Sequence, residues 1–135
     1  MPIASVRAKN ARSWVTIAKG QALGNDYLVV ERERLPWALT PAHTRLICDR
    51  HRGVGSDGLL VVDADEEPVR LRIYNPDGSE AEKSGNGLRI LGAWLHHTGR
   101  VSDRDHMTVL EVVSYDPAYG YELRVETLSW MRLDE

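Results

Sequence analysis

Hydrophobic and polar positions along the chain fall into short runs that mark out strands before any motif is considered. Residues 14–18 and 27–31 are rich in β-branched and aromatic side chains and predict two strands. The segment GQALGND at 20–26 between them has turn chemistry. Residues 59–62 and 69–74 predict two more strands, joined by an acidic loop at 63–67. NPDG at 75–78 is a turn, with proline at its second position and glycine at its fourth. Residues 107–113 and 121–127 predict a hairpin around DPAYG at 116–120, with a last short strand near 130–133. Residues 1–13 are mixed and polar and read as an irregular lead-in, leaving one domain over 14–135.

Two segments carry helical signals instead. Thr40 supplies a capping hydroxyl and Pro41 suits the first helical position, so a helix is expected from there to about Arg52. In it Leu46 and Ile47 would face inward, and Gly53 would end it. Residues 85–97 predict a second helix, closed by Gly99. Its Leu88, Ile90, Leu91, Trp94 and Leu95 spread around most of the circumference, the mark of a buried helix. Six or more strands with two helices, and no repeat or linker, predict an α+β domain whose sheet curls around the second helix.

Composition narrows the classes of function. At 135 residues there is room for one domain with a real core. A net charge of -3 offers no basic stripe, which argues against nucleic acid as a partner. No apolar run nears the ~20 residues a membrane span needs, and the first residues lack a secretory apolar stretch, so a cytoplasmic protein with no membrane partner is expected. Cys48 is the single cysteine, which excludes an intramolecular disulfide or a cysteine cluster, and the five histidines are not spaced as metal ligands. The run GVGSDG at 53–58 matches the dinucleotide fingerprint, but a predicted helix precedes it and a strand follows, the reverse of what phosphate binding needs. Those glycines are expected to serve a close-packed turn.

The stretch that carries chemistry runs from Asn75 to Arg89, where a turn and a short extended segment lead through SGNG at 84–87 into the apolar helix. The start of such a helix offers free N–H groups and the positive end of the dipole, a site for an anion such as a carboxylate. The side chain at Ser84 would sit beside that anion. The same loop also reads as an ordinary N-cap and turn, with Asn86 capping the helix.

GNDY at 24–27, CDRHRGVGSDG at 48–58 and NPDGSE at 75–80 followed by SGNG at 84–87 resemble three successive blocks of the diaminopimelate epimerase family, in the family's order and at similar spacings. The blocks lie within residues 17–100. The resemblance implies one of two similar domains, each a curled, mostly antiparallel, barrel-like sheet around a central helix, with the substrate in the cleft between them. It implies interconversion of LL- and meso-diaminopimelate, on the route to lysine and peptidoglycan, by two acid/base cysteines working from opposite faces without pyridoxal phosphate, another cofactor or a metal. By position, Asn25 and Asn75 resemble the residues that hold the substrate's amino and carboxylate groups, and Gly85 and Asn86 the helix start that receives the reacting carboxylate. Ser84 falls where the family's catalytic cysteine belongs. Gly58 falls where some members carry a glutamine.

Two departures shape the functional reading. A serine hydroxyl is a far weaker acid than a thiol, and no histidine or lysine is placed beside Ser84 to assist it; Lys83 would point away from an extended backbone. The second domain, with its own proton-transfer group, would have to come from the same chain or a partner chain, and this chain alone is expected to be inactive. An exposed cleft wall leaves room for a homo-oligomer. The leading reading is therefore a domain of an amino-acid epimerase with a small amino-acid substrate, and the alternative is a non-catalytic amino-acid or carboxylate binding domain of the same fold. Cys48, inside the first helix, reads as a packing residue.

Overall fold

The computed structural model describes residues 3–9, 14–65, 67–82, 84–101 and 106–129. Among the described residues, seven strands form one sheet, in the order β1-β2-β3-β4-β5-β7-β6. They are β1 (Ile3–Lys9), β2 (Trp14–Ala22), β3 (Asn25–Glu31), β4 (Leu59–Asp63), β5 (Val69–Tyr74), β6 (His106–Asp116) and β7 (Gly120–Ser129). Every neighbouring pair is antiparallel except β3 and β4, which run parallel with helix α1 (Pro41–Cys48) in the connection between them. Helix α2 (Gly85–His97) touches β1, β2, β3 and β6, so the sheet bends far enough for both of its edge strands to reach one helix. The fold is α+β, a curled sheet around a central helix. Among the described residues the sheet is not a closed barrel, because β1 and β6 do not pair with each other.

The period of two along the strands sorts the core into two layers. Ala18, Val29, Leu60, Val62, Leu71 and Ile73 pack on the α2 side with Ile90, Leu91, Trp94 and Leu95. Ile17, Leu28, Val30, Leu59 and Val61 point the other way and meet Cys48 of α1. This explains the unbroken apolar run of β4, which has a hydrophobic neighbour on each face, and the alternation of β5, where only Val69, Leu71 and Ile73 are buried. Each fully buried aliphatic side chain contributes about 1.5–3 kcal/mol, so α2 is held mainly by Ile90, Leu91 and Leu95. Its opposite side is open. A groove of about 410 Å³ runs there along Leu88, Gly92, Ala93 and His96, with Thr108 and Leu110 of β6 as its far wall.

Three expectations are corrected. The lead-in contains a strand, β1, paired along its length with β2. Strand β2 continues to Ala22, so the expected turn shrinks to Leu23 and Gly24, whose φ values of 49° and 88° make a two-residue hairpin of the type that matches strand twist. Helix α1 ends at Cys48, four residues short of Arg52, because the Asp49 carboxylate accepts from the amides of His51 and Arg52 at 2.8 and 3.0 Å and turns the chain. Leu46 consequently lies 54% exposed, while Thr44 and Cys48 take the inward face. The boundaries expected for α2 and for the β6–β7 hairpin loop agree with the fold. The last strand expected near 130–133, and Lys83, lie outside the described residues.

The glycine run at 53–58 serves chain reversal. A Cβ on Gly53 would stand 1.9 Å from the Leu46 carbonyl oxygen, so only glycine lets the loop fold back under α1 on its way to β4.

Candidate active site

Strand β3 delivers the first part of the site. Alternation places Asn25, Tyr27 and Val29 on the α2 side of the sheet and Asp26 on the other. Residues Asn25 and Tyr27 therefore reach the start of α2, while Asp26 turns toward the loop after α1. There its carboxylate takes two hydrogen bonds from the Arg50 guanidinium, at 2.8 and 3.1 Å, and pairs with Lys19 at 3.0 Å. These cations, Arg50 foremost, hold the Asp26 carboxyl well below the usual carboxylate range.

The start of α2 delivers the second part. Ser84 has extended backbone angles and caps the helix, its Oγ accepting from the Gly87 amide at 3.0 Å. The first amides of an α-helix have no intrahelical acceptor. Gly87 finds Ser84; among the described residues, no acceptor meets the amides of Gly85 and Asn86. Gly85 is exposed and nothing stands within 4 Å of where its Cβ would be, so a ligand can come right up to the backbone.

A polar relay joins the two parts. Asn86 Nδ2 donates to Asn25 Oδ1 at 2.8 Å, and Asn25 Nδ2 donates to Asp57 Oδ2 at 3.4 Å. Asp57 also accepts from the Asp26 amide and from Arg50, each at 3.0 Å, and its own amide donates to Asp26 Oδ1 at 3.0 Å. At the other end Arg89 donates to Asn86 Oδ1 at 3.3 Å. Asp57 can only accept and Arg89 can only donate, so the charged ends fix which way both amides point.

Tyr27 closes on the same serine. Its hydroxyl donates to Ser84 Oγ at 3.2 Å. The ring lies over Gly58, where a Cβ would come within 2.6 Å of Tyr27 Cε1 and 2.9 Å of the Tyr74 carbonyl oxygen.

Of the residues singled out in the sequence, Ser84, Gly85, Asn86 and Asn25 thus gather at one end of α2. Asn75 stands in the exposed turn after β5, with its side-chain amide donating to Ser79 Oγ at 3.0 Å. Among the described residues no hydrogen bond links Asn75 to the others. Tyr27 and Asp57 were not singled out, although period-two alternation from Asn25 points at Tyr27. Cys48 is 2% exposed, and burial pushes its thiol up, as expected of a packing residue. Among the described residues no cluster of three or more His, Cys, Asp or Glu side chains could hold a metal ion, and no helix is long and apolar enough to cross a membrane.

A curled sheet around one central helix, with a hydroxyl, oriented amide side chains and, among the described residues, two amides without an acceptor at that helix's N-terminus, defines an α+β lobe that presents a small polar site at the helix start. Comparison with known proteins makes the class specific. The family model described as diaminopimelate epimerase matches residues 17–111, and the chain belongs to that family. It is 50% identical over 88 residues to diaminopimelate epimerase 2 of a Nostoc species, covering 64% of this chain and 31% of that protein. It is 44% identical over 94 residues to the diaminopimelate epimerase of an Azoarcus species, covering 67% and 34%. Against the enzyme of Moorella thermoacetica it is 39% identical over 114 residues, covering 82% and 34%. The chain thus spans about a third of the length of these relatives.

Proposed function

We propose that this chain is the carboxylate-holding lobe of an isomerase that interconverts LL- and meso-diaminopimelate, the reaction for which its relatives are named. The observation that carries the proposal is that no acceptor among the described residues meets the amides of Gly85 and Asn86, which lie next to the Ser84 hydroxyl and the Asn25 side chain. A carboxylate on those amides lies in the field of the helix dipole. Its α-carbon then comes next to position 84. Withdrawal of electrons from that carboxylate is what makes an α-proton removable, so the arrangement acidifies the substrate at the place where an acid/base group is needed. Asn25 offers its second amide hydrogen and carbonyl lone pair to the polar groups around the same carbon. Asn75 enters as a further substrate contact once a ligand bridges the turn after β5.

Proton abstraction from the opposite face requires a second lobe, from the same chain or a partner. Ser84 limits the first face. A hydroxyl has one proton and two lone pairs. Gly87 N–H and Tyr27 O–H take both lone pairs, so Ser84 has only its proton to offer a ligand. That favours a second reading, a carboxylate-binding domain that holds an amino acid without deprotonating it.

One experiment separates the readings. The chain is joined to the second lobe of a diaminopimelate epimerase, as it stands and with Ser84→Cys, and meso-diaminopimelate is followed by proton NMR in D₂O. Epimerisation with the Ser84→Cys chain, together with a persistent α-proton signal with the unaltered chain, supports an epimerase lobe lacking only its thiol. Absence of exchange in both, with both folded and both binding substrate, leaves the binding reading.

A further inference from the structure

We infer that Tyr27 is a positioning residue that fixes and tunes the acid/base side chain at position 84, and that Gly58 exists in this chain to admit its ring. The inference rests on the reading of Ser84 as the proton-transfer position and adds a partner which neither the family resemblance nor the motif assigns.

The geometry is specific. Tyr27 leaves β3 on the α2 side, packs against the α2 core with its ring half-buried, and ends with its hydroxyl 3.2 Å from Ser84 Oγ. The ring occupies the space in front of Gly58, and a single Cβ there would come within 2.6 Å of the ring and 2.9 Å of the Tyr74 carbonyl oxygen. One of those neighbours is backbone, so the clash could not be relieved by a rotamer change alone. Tyr27 and Gly58 are therefore a matched pair: a larger residue at 58 would compete with the phenol for one space.

The chemical consequence concerns charge. When the side chain at position 84 gives its proton to an α-carbanion, the C–H bond forms with the carbanion's electron pair and a negative charge is left on the atom at position 84. The Gly87 amide and the Tyr27 hydroxyl both point at that atom. Two donors converging on one anion favour the ionised form and lower its pKa. With serine the same donors orient the hydroxyl proton toward the ligand; with a thiol they would lower the pH at which the thiolate forms.

The test uses the full chain without substrate, so its outcome does not depend on whether diaminopimelate binds. The rate of alkylation of the Ser84→Cys variant by iodoacetamide is measured against pH, with peptide mass analysis separating this thiol from the buried Cys48. The apparent pKa is expected below the ~8.5 of a free thiol. Adding Tyr27→Phe is expected to raise it by about one to two units, the size of one hydrogen bond to an anion. An unchanged profile in a folded double variant would overturn the inference and leave Tyr27 as packing alone. Should Tyr27→Phe fail to fold, 3-fluorotyrosine placed at position 27 keeps the ring and strengthens the donor. The profile must then move down, and a stationary one is equally fatal.

Discussion

Asn86 donates its side-chain amide to Asn25 Oδ1 at 2.8 Å, tying the start of the central helix to the start of a strand 61 positions earlier. Neither residue is long, so the contact exists only because the sheet curls around α2 and carries β3 to the helix's N-terminus. Function and fold meet in that bond: the curl places the two amides, and their charged neighbours orient them.

The orientation depends on Asp57, which accepts from the Asn25 side chain, the Asp26 amide and Arg50. Asp57→Ala leaves the Asn25 side chain and the Asp26 amide without that acceptor, while Arg50 keeps Asp26. The expected cost is about 1–3 kcal/mol in urea unfolding. The Asn25 side-chain amide signals in a nitrogen–proton NMR spectrum should also move, whereas equal stability and unmoved signals would remove Asp57 from the site.

Gly58→Ala inserts a methyl group against the Tyr27 ring and the Tyr74 backbone. A loss of about 1–3 kcal/mol is expected, as for overpacking elsewhere. Combined with Tyr27→Ala the loss should be smaller than the sum of the two single changes, because only the Tyr74 carbonyl oxygen then crowds the methyl. Simple additivity in that cycle would show that the pair is not coupled.

Asp26 governs the response to acid. Its carboxyl is held below its ordinary 3.8 in the folded chain by Arg50 and Lys19. A folded-state pKa below the unfolded one gives a stabilising contribution that is complete above about pH 4 and is lost as pH falls through the folded value. Asp26→Asn should therefore flatten the decline in stability below about pH 4 and cost about 1 kcal/mol at neutral pH, Arg50 being half exposed. Thermal melts from pH 2 to 7 check both limbs.

Leu23 sits at φ 49°, is 79% exposed, and occupies a turn position suited to asparagine or glycine. A left-handed conformation costs an L-residue about 1–2 kcal/mol. Leu23→Asn is expected to raise the urea midpoint, by about 1 kcal/mol of stability, with β2 and β3 otherwise unchanged. A lower midpoint would mean that the leucine side chain makes a contact the turn depends on.

Much of this architecture was written in local pattern. The apolar circumference of α2 and the DPAYG turn each specify one outcome, so α2 and the loop between β6 and β7 were readable directly. Gly53 is the stop signal the local pattern offers for α1, whereas the side chain of Asp49 takes the amides of His51 and Arg52 and ends the helix four residues earlier. Strand β1, IASVRAK, has only Ile3 and Val6 as β-branched residues, a weak strand signal, and is fixed by its pairing with β2. At the site, Ser84, Gly85 and Asn86 followed from the helix start. Tyr27 and Asp57 did not, because their partners lie 57 and 32 positions away along the chain, and only the register of β3 against β4 and the curl of the sheet bring them near.

The most direct test of the account is a titration of the nitrogen-labelled chain with meso-diaminopimelate, followed by nitrogen–proton NMR. The account predicts saturable shifts of the Gly85 and Asn86 backbone amides together with the Asn25 side-chain amide, while the groove along Gly92 and His96 stays still. A folded chain whose Gly85, Asn86 and Asn25 signals do not move at millimolar ligand, or one that shifts only elsewhere, would contradict it.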